Sequence, residues 1–188
     1  MADEAFLLRQ ATATDLPALA PVDASFSDEW VLHVERGGGA IEQQIALSWR
    51  RTKPAGSRRA PPLDEEAFHR ADTVLLAERD GRVAGYVMLM SQWNRTAEIV
   101  AIAVDAACRR GGLGRRLVEA AEAFARERSL RAVQWEAQTD NRDAIEFALA
   151  QGFRIAGFHD ALYRNDDLSR QEAADFRGIA LFLTKALV

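Results

Sequence analysis

The strongest chemical signal in this chain is the run Arg109-Arg110-Gly111-Gly112-Leu113-Gly114-Arg115-Arg116. Apolar residues ending in Ile102-Ala103-Val104 precede it, and an amphipathic pattern follows. A strand thus runs into glycines and then into a helix. The first N–H groups of a helix lack internal partners and, with the helix dipole, attract anions. Glycines let the main chain approach a phosphate closely. Four arginines ring the corner and are suited to bidentate pairing with phosphate oxygens. A dinucleotide corner of the G-x-G-x-x-G type fits poorly, because the third glycine place counted from Gly112 is Leu117. A triphosphate loop would end in Gly-Lys-Ser/Thr, which is absent. A tight turn with solvated arginines is the plain alternative.

The elements that must position this corner follow from periodicity. Thr73–Glu78 and Val83–Met90 read as strands around an Asp80-Gly81 hairpin turn. Asn94-Arg95-Thr96 is a second turn, and Glu98–Val104 is the third strand of a meander. From Gly112 to Arg128, Leu113, Leu117, Ala120, Ala121 and Phe124 form an apolar stripe at helical spacing. Ala132–Glu136 reads as a strand, and residues 141–151 as a helix capped by Asp140 or Asn141 and stopped by Gly152. Phe153–Tyr163 and Ile179–Leu187 are the expected last strands, with a polar loop or short helix over 164–177. Near the N-terminus, Phe6–Gln10 is strand-like, and Thr14 or Asp15 caps a short helix with Leu16, Leu19 and Val22. Ile41–Trp49 has helical spacing. The Pro-, Gly- and charge-rich stretch Thr52–Pro62 reads as an exposed loop.

Composition narrows the classes. The chain has 188 residues, 48% hydrophobic and 28% charged, which suits one globular domain. No run reaches the roughly 20 apolar residues of a membrane helix, and the acidic start lacks the plan of a secretion signal. A soluble cytoplasmic protein is the expectation. A net charge of −4 disfavours a nucleic-acid partner. The lone Cys108 excludes an intramolecular disulfide and a Cys-cluster zinc site, and His33, His69 and His159 are too dispersed to suggest a metal. Of 24 basic residues only Lys53 and Lys185 are lysines, a bias that a GC-rich genome explains.

The run Ile102-Ala-Val-Asp followed by Arg109-Arg-Gly-Gly-Leu-Gly114 resembles the acetyl-CoA signature of the GNAT acetyltransferases, Arg/Gln-x-x-Gly-x-Gly/Ala. Asn141 followed eleven residues later by Gly152-Phe153 is similar to the family's second motif. The resemblance covers residues 73–188 well and 1–24 loosely. It implies a single α/β (α+β) domain over 1–188 with a mixed, mostly antiparallel central sheet flanked by helices. Residues 25–70 would be a variable substrate-side region and 96–155 the acetyl-CoA core. It further implies that main-chain amides of Arg110, Gly111, Gly112, Leu113, Gly114 and Arg115 hold the pyrophosphate, with Arg109 opening the signature. The pantetheine arm would pair like a strand with Ile102, Ala103 and Val104. Asn141 matches a position that contacts this arm, although a simple helix cap explains it equally.

Acetyl transfer to an amine needs a base, because an alkyl amine is protonated near neutral pH. It also needs a donor for the oxyanion, for which a strand N–H near Val104 is the family-like candidate. Glu136, at the end of its strand, matches a glutamate of several amine acetylators and is the candidate base; the alternative is a half-exposed cation anchor. The tyrosine that many members carry seven residues after the motif asparagine is replaced by Ala148. Tyr163 or Tyr86 would then serve as acid, or water, or the thiolate leaves unassisted. Cys108 has no cue for a nucleophilic role.

Glu136-Ala-Gln-x-x-Asn141, then Gly152-Phe-x-x-x-Gly157-Phe-x-x-x-Leu162-Tyr-Arg-Asn165, resembles the streptothricin acetyltransferase branch. This implies a small cationic amine acceptor, acetylated by direct transfer in a ternary complex. Glu136, Asp140, Asp160, Asp166, Asp167 and Asp175 would line an acidic cleft, or are ordinary surface acids. A protein N-terminus or lysine is an alternative acceptor, and a non-catalytic acyl-CoA-binding domain an alternative role. The family commonly dimerises, but no sequence cue fixes a dimer here.

Overall fold

The structure, a computed structural model, describes residues 6–39, 41–51, 57–58, 63, 65–163 and 178–187. Its strands are β1 (Leu7–Gln10), β2 (Phe26–Ser27), β3 (Trp30–Gly38), β4 (Gln43–Arg51), β5 (Ser57–Arg58), β6 (Thr73–Arg79), β7 (Arg82–Ser91), β8 (Thr96–Val104), β9 (Ala132–Gln138), β10 (Arg154–His159) and β11 (Ala180–Ala186). The helices are α1 (Leu16–Leu19), α2 (Glu65–Arg70), α3 (Leu113–Glu127) and α4 (Arg142–Ala150). The central sheet runs β1-β6-β7-β8-β9-β11-β10. Every neighbouring pair is antiparallel except β8 and β9, which α3 connects as a parallel crossover.

Local chemistry explains the meander. Asp80 (φ 53°) and Gly81 (φ 71°) both take the positive φ that a tight hairpin turn requires. Asn94 Oδ1 accepts from the Thr96 hydroxyl at 2.7 Å, steadying the next turn. One sheet face packs on α3 and α4. Leu113, Leu117, Val118, Ala121, Phe124 and Ala125 of α3 are buried there with Val87, Leu89, Ile99, Val133 and Trp135. The other face carries Val74, Leu76, Tyr86, Met88 and Ala103 beneath α1 and α2, whose Leu19 and Phe68 are buried.

The helical expectation for Ile41–Trp49 is wrong. Most of that segment is β4, paired with β3 from Trp30↔Arg51 to Gly38↔Gln43. Positions four apart share a side in a helix and in a strand, so Ile41, Ile45 and Trp49 cannot distinguish the two. Leu47, which packs against the core together with Trp49, reveals the period of two. Within the expected loop Thr52–Pro62, Ser57 and Arg58 pair with Ser27 and Phe26 as β5; residues 52–56 and 59–62 lie outside the described residues. The polar stretch 164–177, with Asp166, Asp167 and Asp175, lies outside them too. The strand expected over Phe153–Tyr163 ends at His159, where a turn at Asp160-Ala161 begins.

Candidate active site

The sheet opens at its centre. β8 and β9 pair only from Thr96↔Ala132 to Ile99↔Trp135. Beyond that, Ala101–Val104 pair with β7 alone, and Glu136–Gln138 with β11. The cause is a β-bulge at Val100, which has no partner between Met88↔Ala101 and Leu89↔Ile99. A bulge bends its strand and reverses the facing of every later residue. Ala97 and Ile99 face the α3 side before it; Ile102 and Val104 do so after it. Among the described residues, the edge of β8 from Ile102 to Val104 that faces the opening has no ladder partner. Ala103 turns to the opposite face and is buried.

The glycine corner lies at the wide end of this opening. Arg109 N donates to Ala106 O at 3.4 Å, and the next amide with a backbone acceptor is Arg116 N, to Gly112 O at 3.2 Å. Among the described residues, the six amides of 110–115 donate to nothing. Arg110 (φ 65°) and Gly112 (φ 82°) take left-handed backbone conformations that turn the chain into α3, and a Cβ at Gly112 would meet no atom within 4 Å. This is an open, amide-lined, positively polarised cradle of the kind a pyrophosphate needs. Gly114 serves packing instead. A Cβ there would stand 3.0 Å from Phe147 Cζ, so its absence lets α4 pack on the first turn of α3. Leu113 is buried beneath the corner.

The arginines divide. Arg110 and Arg115 are exposed, the latter 3.7 Å from Glu119. The Arg109 guanidinium is committed elsewhere, donating to Val104 O at 3.1 Å and Asp23 O at 2.9 Å. Its Nε and Nη2 thus hold main-chain carbonyls from two distant segments. The sequence holds no signal for this, because Asp23 is distant in the chain.

Glu136 is the first β9 residue past the last β8 pair. It faces away from Trp135 and Ala137, which are buried on the α3 side, and so stands on the face opposite the main core. Burial pushes its carboxyl above the usual range; the Tyr163 hydroxyl donates to Oε1 and opposes that shift, and the nearby Glu98 carboxylate adds to it. Tyr163 is itself pushed far up, first by burial and then by its bond to Glu136, so its hydroxyl is a neutral donor. Tyr163, rather than Tyr86, is thus the tyrosine bonded to Glu136. Tyr86 is buried in the core under α1 and α2. Glu98, on β8, was not visible as a site residue in the sequence; a strand carboxylate just after a turn is an ordinary pattern until β9 is set beside it.

The other candidates fall as follows. Asn141 Oδ1 accepts from Ala144 N at 3.1 Å, so the side chain caps α4 and keeps its NH₂ for other partners. Ala148 is fully buried in the core and supplies no acid. Asp140 is 1% exposed and accepts from Arg58 Nη1 at 2.6 Å, while Arg58 Nε lies 3.1 Å from the buried Asp28. Asp160 accepts from Arg36 at 2.5 Å. Asp140 and Asp160, two of the six acids expected in an open acidic cleft, are therefore already paired with arginine. β3 docks here too, Leu32 N donating to Thr139 O at 2.8 Å, which sets the β3–β4 hairpin beside the end of β9. Among the described residues no helix is long and apolar enough to cross a membrane.

A parted sheet beside a row of free amides can take an extended, phosphate-bearing ligand, its chain along the strand edge and its phosphates on the amides. Comparison with known proteins agrees. The model of the acetyltransferase (GNAT) family matches residues 41–153. A streptothricin acetyltransferase of Streptomyces lavendulae is 30% identical over 163 residues, covering 83% of this chain and 85% of that one. Among solved structures, a nourseothricin acetyltransferase superposes with TM-score 0.80 at 27% identity, covering 97% of this chain and 98% of that chain. A Bacillus anthracis str. Ames protein provisionally described as a streptothricin acetyltransferase, solved with acetyl coenzyme A, superposes with TM-score 0.79 at 22% identity over 100% of both chains. The chain belongs to the GNAT acetyltransferase family. It is an acetyl-CoA-dependent N-acetyltransferase, and acetyl-CoA is its co-substrate.

Proposed function

We propose that this enzyme acetylates a primary amine of a small cationic molecule of the streptothricin kind, by direct transfer in a ternary complex. The observation that carries the reading is the half-buried Glu136 at the start of the β8–β9 opening, bonded to Tyr163, with Glu98 on the same sheet face just before the strands part. Two carboxylates on one face favour an ammonium group, and a raised carboxyl suits a base working near neutral pH. The likeness to antibiotic acetylators over most of both chains supports the same acceptor class.

In this reading the amides of 110–115 hold the pyrophosphate, and the free edge of Ile102–Val104 aligns the pantetheine arm. The thioester, once bound, supplies the acetyl group. Glu136 removes one proton from the ammonium group and releases it to solvent. The amine nitrogen then forms its bond to the acetyl carbon as the carbon–sulfur bond breaks, and an amide near Val104 meets the developing oxyanion. Glu136 collects the second nitrogen proton and passes it to the Tyr163 oxygen along their hydrogen bond as Tyr163 gives its own proton to the departing sulfur. Two protons leave the nitrogen, one ending on the thiol and one in water.

The test is thiol release from acetyl-CoA against a panel holding streptothricin, aminoglycosides, simple diamines, and peptides with free N-terminal or lysine amines. Turnover confined to the peptides would refute the acceptor class. Retained turnover in Glu136→Gln would refute the base.

A further inference from the structure

We infer that Arg109 and Asp105 are positioning residues, which fasten the main chain of Asp23 to the end of β8 and thereby hold in place the strand edge and loop that take acetyl-CoA. This rests on the reading that those two elements bind the co-substrate. The Asp23 main chain is gripped at both ends. Its N–H donates to Asp105 Oδ2 at 3.0 Å. Its carbonyl accepts from Ala106 N at 3.0 Å and from Arg109 Nη2 at 2.9 Å. Arg109 Nε holds Val104 O at 3.1 Å, and Asp105 Oδ1 accepts from Ala107 N at 3.0 Å. The Asp105 amide reaches across to Ala84 O at 2.9 Å, tying the same corner to β7.

One planar guanidinium therefore bridges the last carbonyl of β8 to the segment that leads from α1 into β2 and the hairpin. Only a fork of separately aimed N–H groups does this well. The bridge sits one residue before Arg110, where the chain turns into the amide cradle through a left-handed conformation. A loop of six unbonded amides has no internal ladder to set its shape, so its geometry comes from its anchors. Arg109 and Asp105 are the anchor on the strand side; the start of α3 is the other. Arg109 would thus act on the co-substrate through backbone placement, whereas among the described residues the exposed Arg110 and Arg115 hold no main-chain carbonyl.

Equilibrium titration with acetyl-CoA and with S-acetyl-pantetheine, which lacks every phosphate, separates positioning from phosphate binding. In Arg109→Met the Kd should rise for both donors with the binding stoichiometry unchanged, about tenfold for acetyl-CoA, which uses loop and strand edge, and by less for S-acetyl-pantetheine, which uses the edge alone. A rise for acetyl-CoA alone would make Arg109 a phosphate ligand and overturn the inference, as would unchanged Kd values. A fall in stoichiometry with normal Kd would mark a purely structural role and overturn it as well. Asp105→Ala gives an opposite-sign check should Arg109→Met fold poorly. Positioning predicts weaker binding of both donors; tighter acetyl-CoA binding after loss of this negative charge would overturn it. The underlying loop reading fails separately, if the unaltered enzyme binds both donors equally well.

Discussion

Tyr163 donates its hydroxyl hydrogen to the Glu136 carboxylate, joining the turn after β10 to the end of β9 across 27 positions of sequence. The bond couples two groups that burial disturbs in the same direction. Both are pushed up, Glu136 toward holding a proton and Tyr163 toward never losing one unaided. The partnership lowers Glu136 relative to burial alone, because the hydroxyl favours the charged carboxylate.

Tyr163→Phe should therefore do two separable things. Loss of the donor removes the hydrogen bond that lowers Glu136, so the ascending limb of kcat against pH moves to higher pH. Loss of the acid lowers kcat at the plateau, by about 10²-fold. A full pH–rate profile reads both. A limb that moves to lower pH would contradict the assignment.

Glu136→Gln should cost about 10²–10⁴-fold in kcat while sparing acetyl-CoA affinity. Its effect on folding has the opposite sign. A carboxyl raised in the folded state disfavours folding from its unfolded-state value upward, with the full penalty above its raised folded value. The neutral amide removes this penalty, so at pH 8 the variant should melt no lower than the parent. Thermal melts at pH 5 and pH 8 check this, with the gain expected at pH 8.

Asn141 separates cap from ligand. Asn141→Ala should lose about 1 kcal/mol of stability with the Ala144 N–H left uncapped. Asn141→Asp keeps the capping oxygen and should melt close to the parent. It replaces the NH₂ group by an acceptor, so KM for acetyl-CoA should rise if that NH₂ meets the co-substrate arm. Melting and KM measured on both variants read the two roles apart.

Gly112→Ala tests the cradle. No atom obstructs the added methyl, so its cost is the left-handed backbone itself, about 1–2 kcal/mol. The strain falls where six amides must point together. KM for acetyl-CoA should rise about tenfold with kcat little changed.

Arg58→Met should destabilise by roughly 3 kcal/mol, since it strips a cation from the buried Asp28 and Asp140. The lost grip also frees β5 from the turn that follows β9, so KM for the amine should rise more than KM for acetyl-CoA. Chemical denaturation and a two-substrate rate analysis measure these.

What could be read in the sequence was local. The turn at Asp80-Gly81, the apolar stripe of α3 and the glycines that open it depend on neighbours within a few residues, through φ preference and a period of 3.6. The glycine corner is contiguous, so its turn from strand into helix was legible too. The β3–β4 hairpin was not. Residues four apart look alike in a helix and a strand, and only Trp30–Gly38 lying alongside makes β4 a strand.

Tertiary structure decided the rest, because it rests on contacts between residues far apart in the chain. The bulge at Val100 reverses the facing of Ile102–Val104 and parts β8 from β9, and no residue type announces it. The carbonyls of Asp23 and Val104 take up the Arg109 guanidinium. Arg58 and Arg36 neutralise Asp140 and Asp160, which in sequence are simply acids. Tyr163 becomes the partner of Glu136 only because β11 pairs with both β9 and β10, and the chain turns at Asp160 after β10. Short-range sterics and hydrogen-bond geometry are written in adjacent residues; strand register, long-range ion pairs and the coupling of two protons exist only once distant segments share a core.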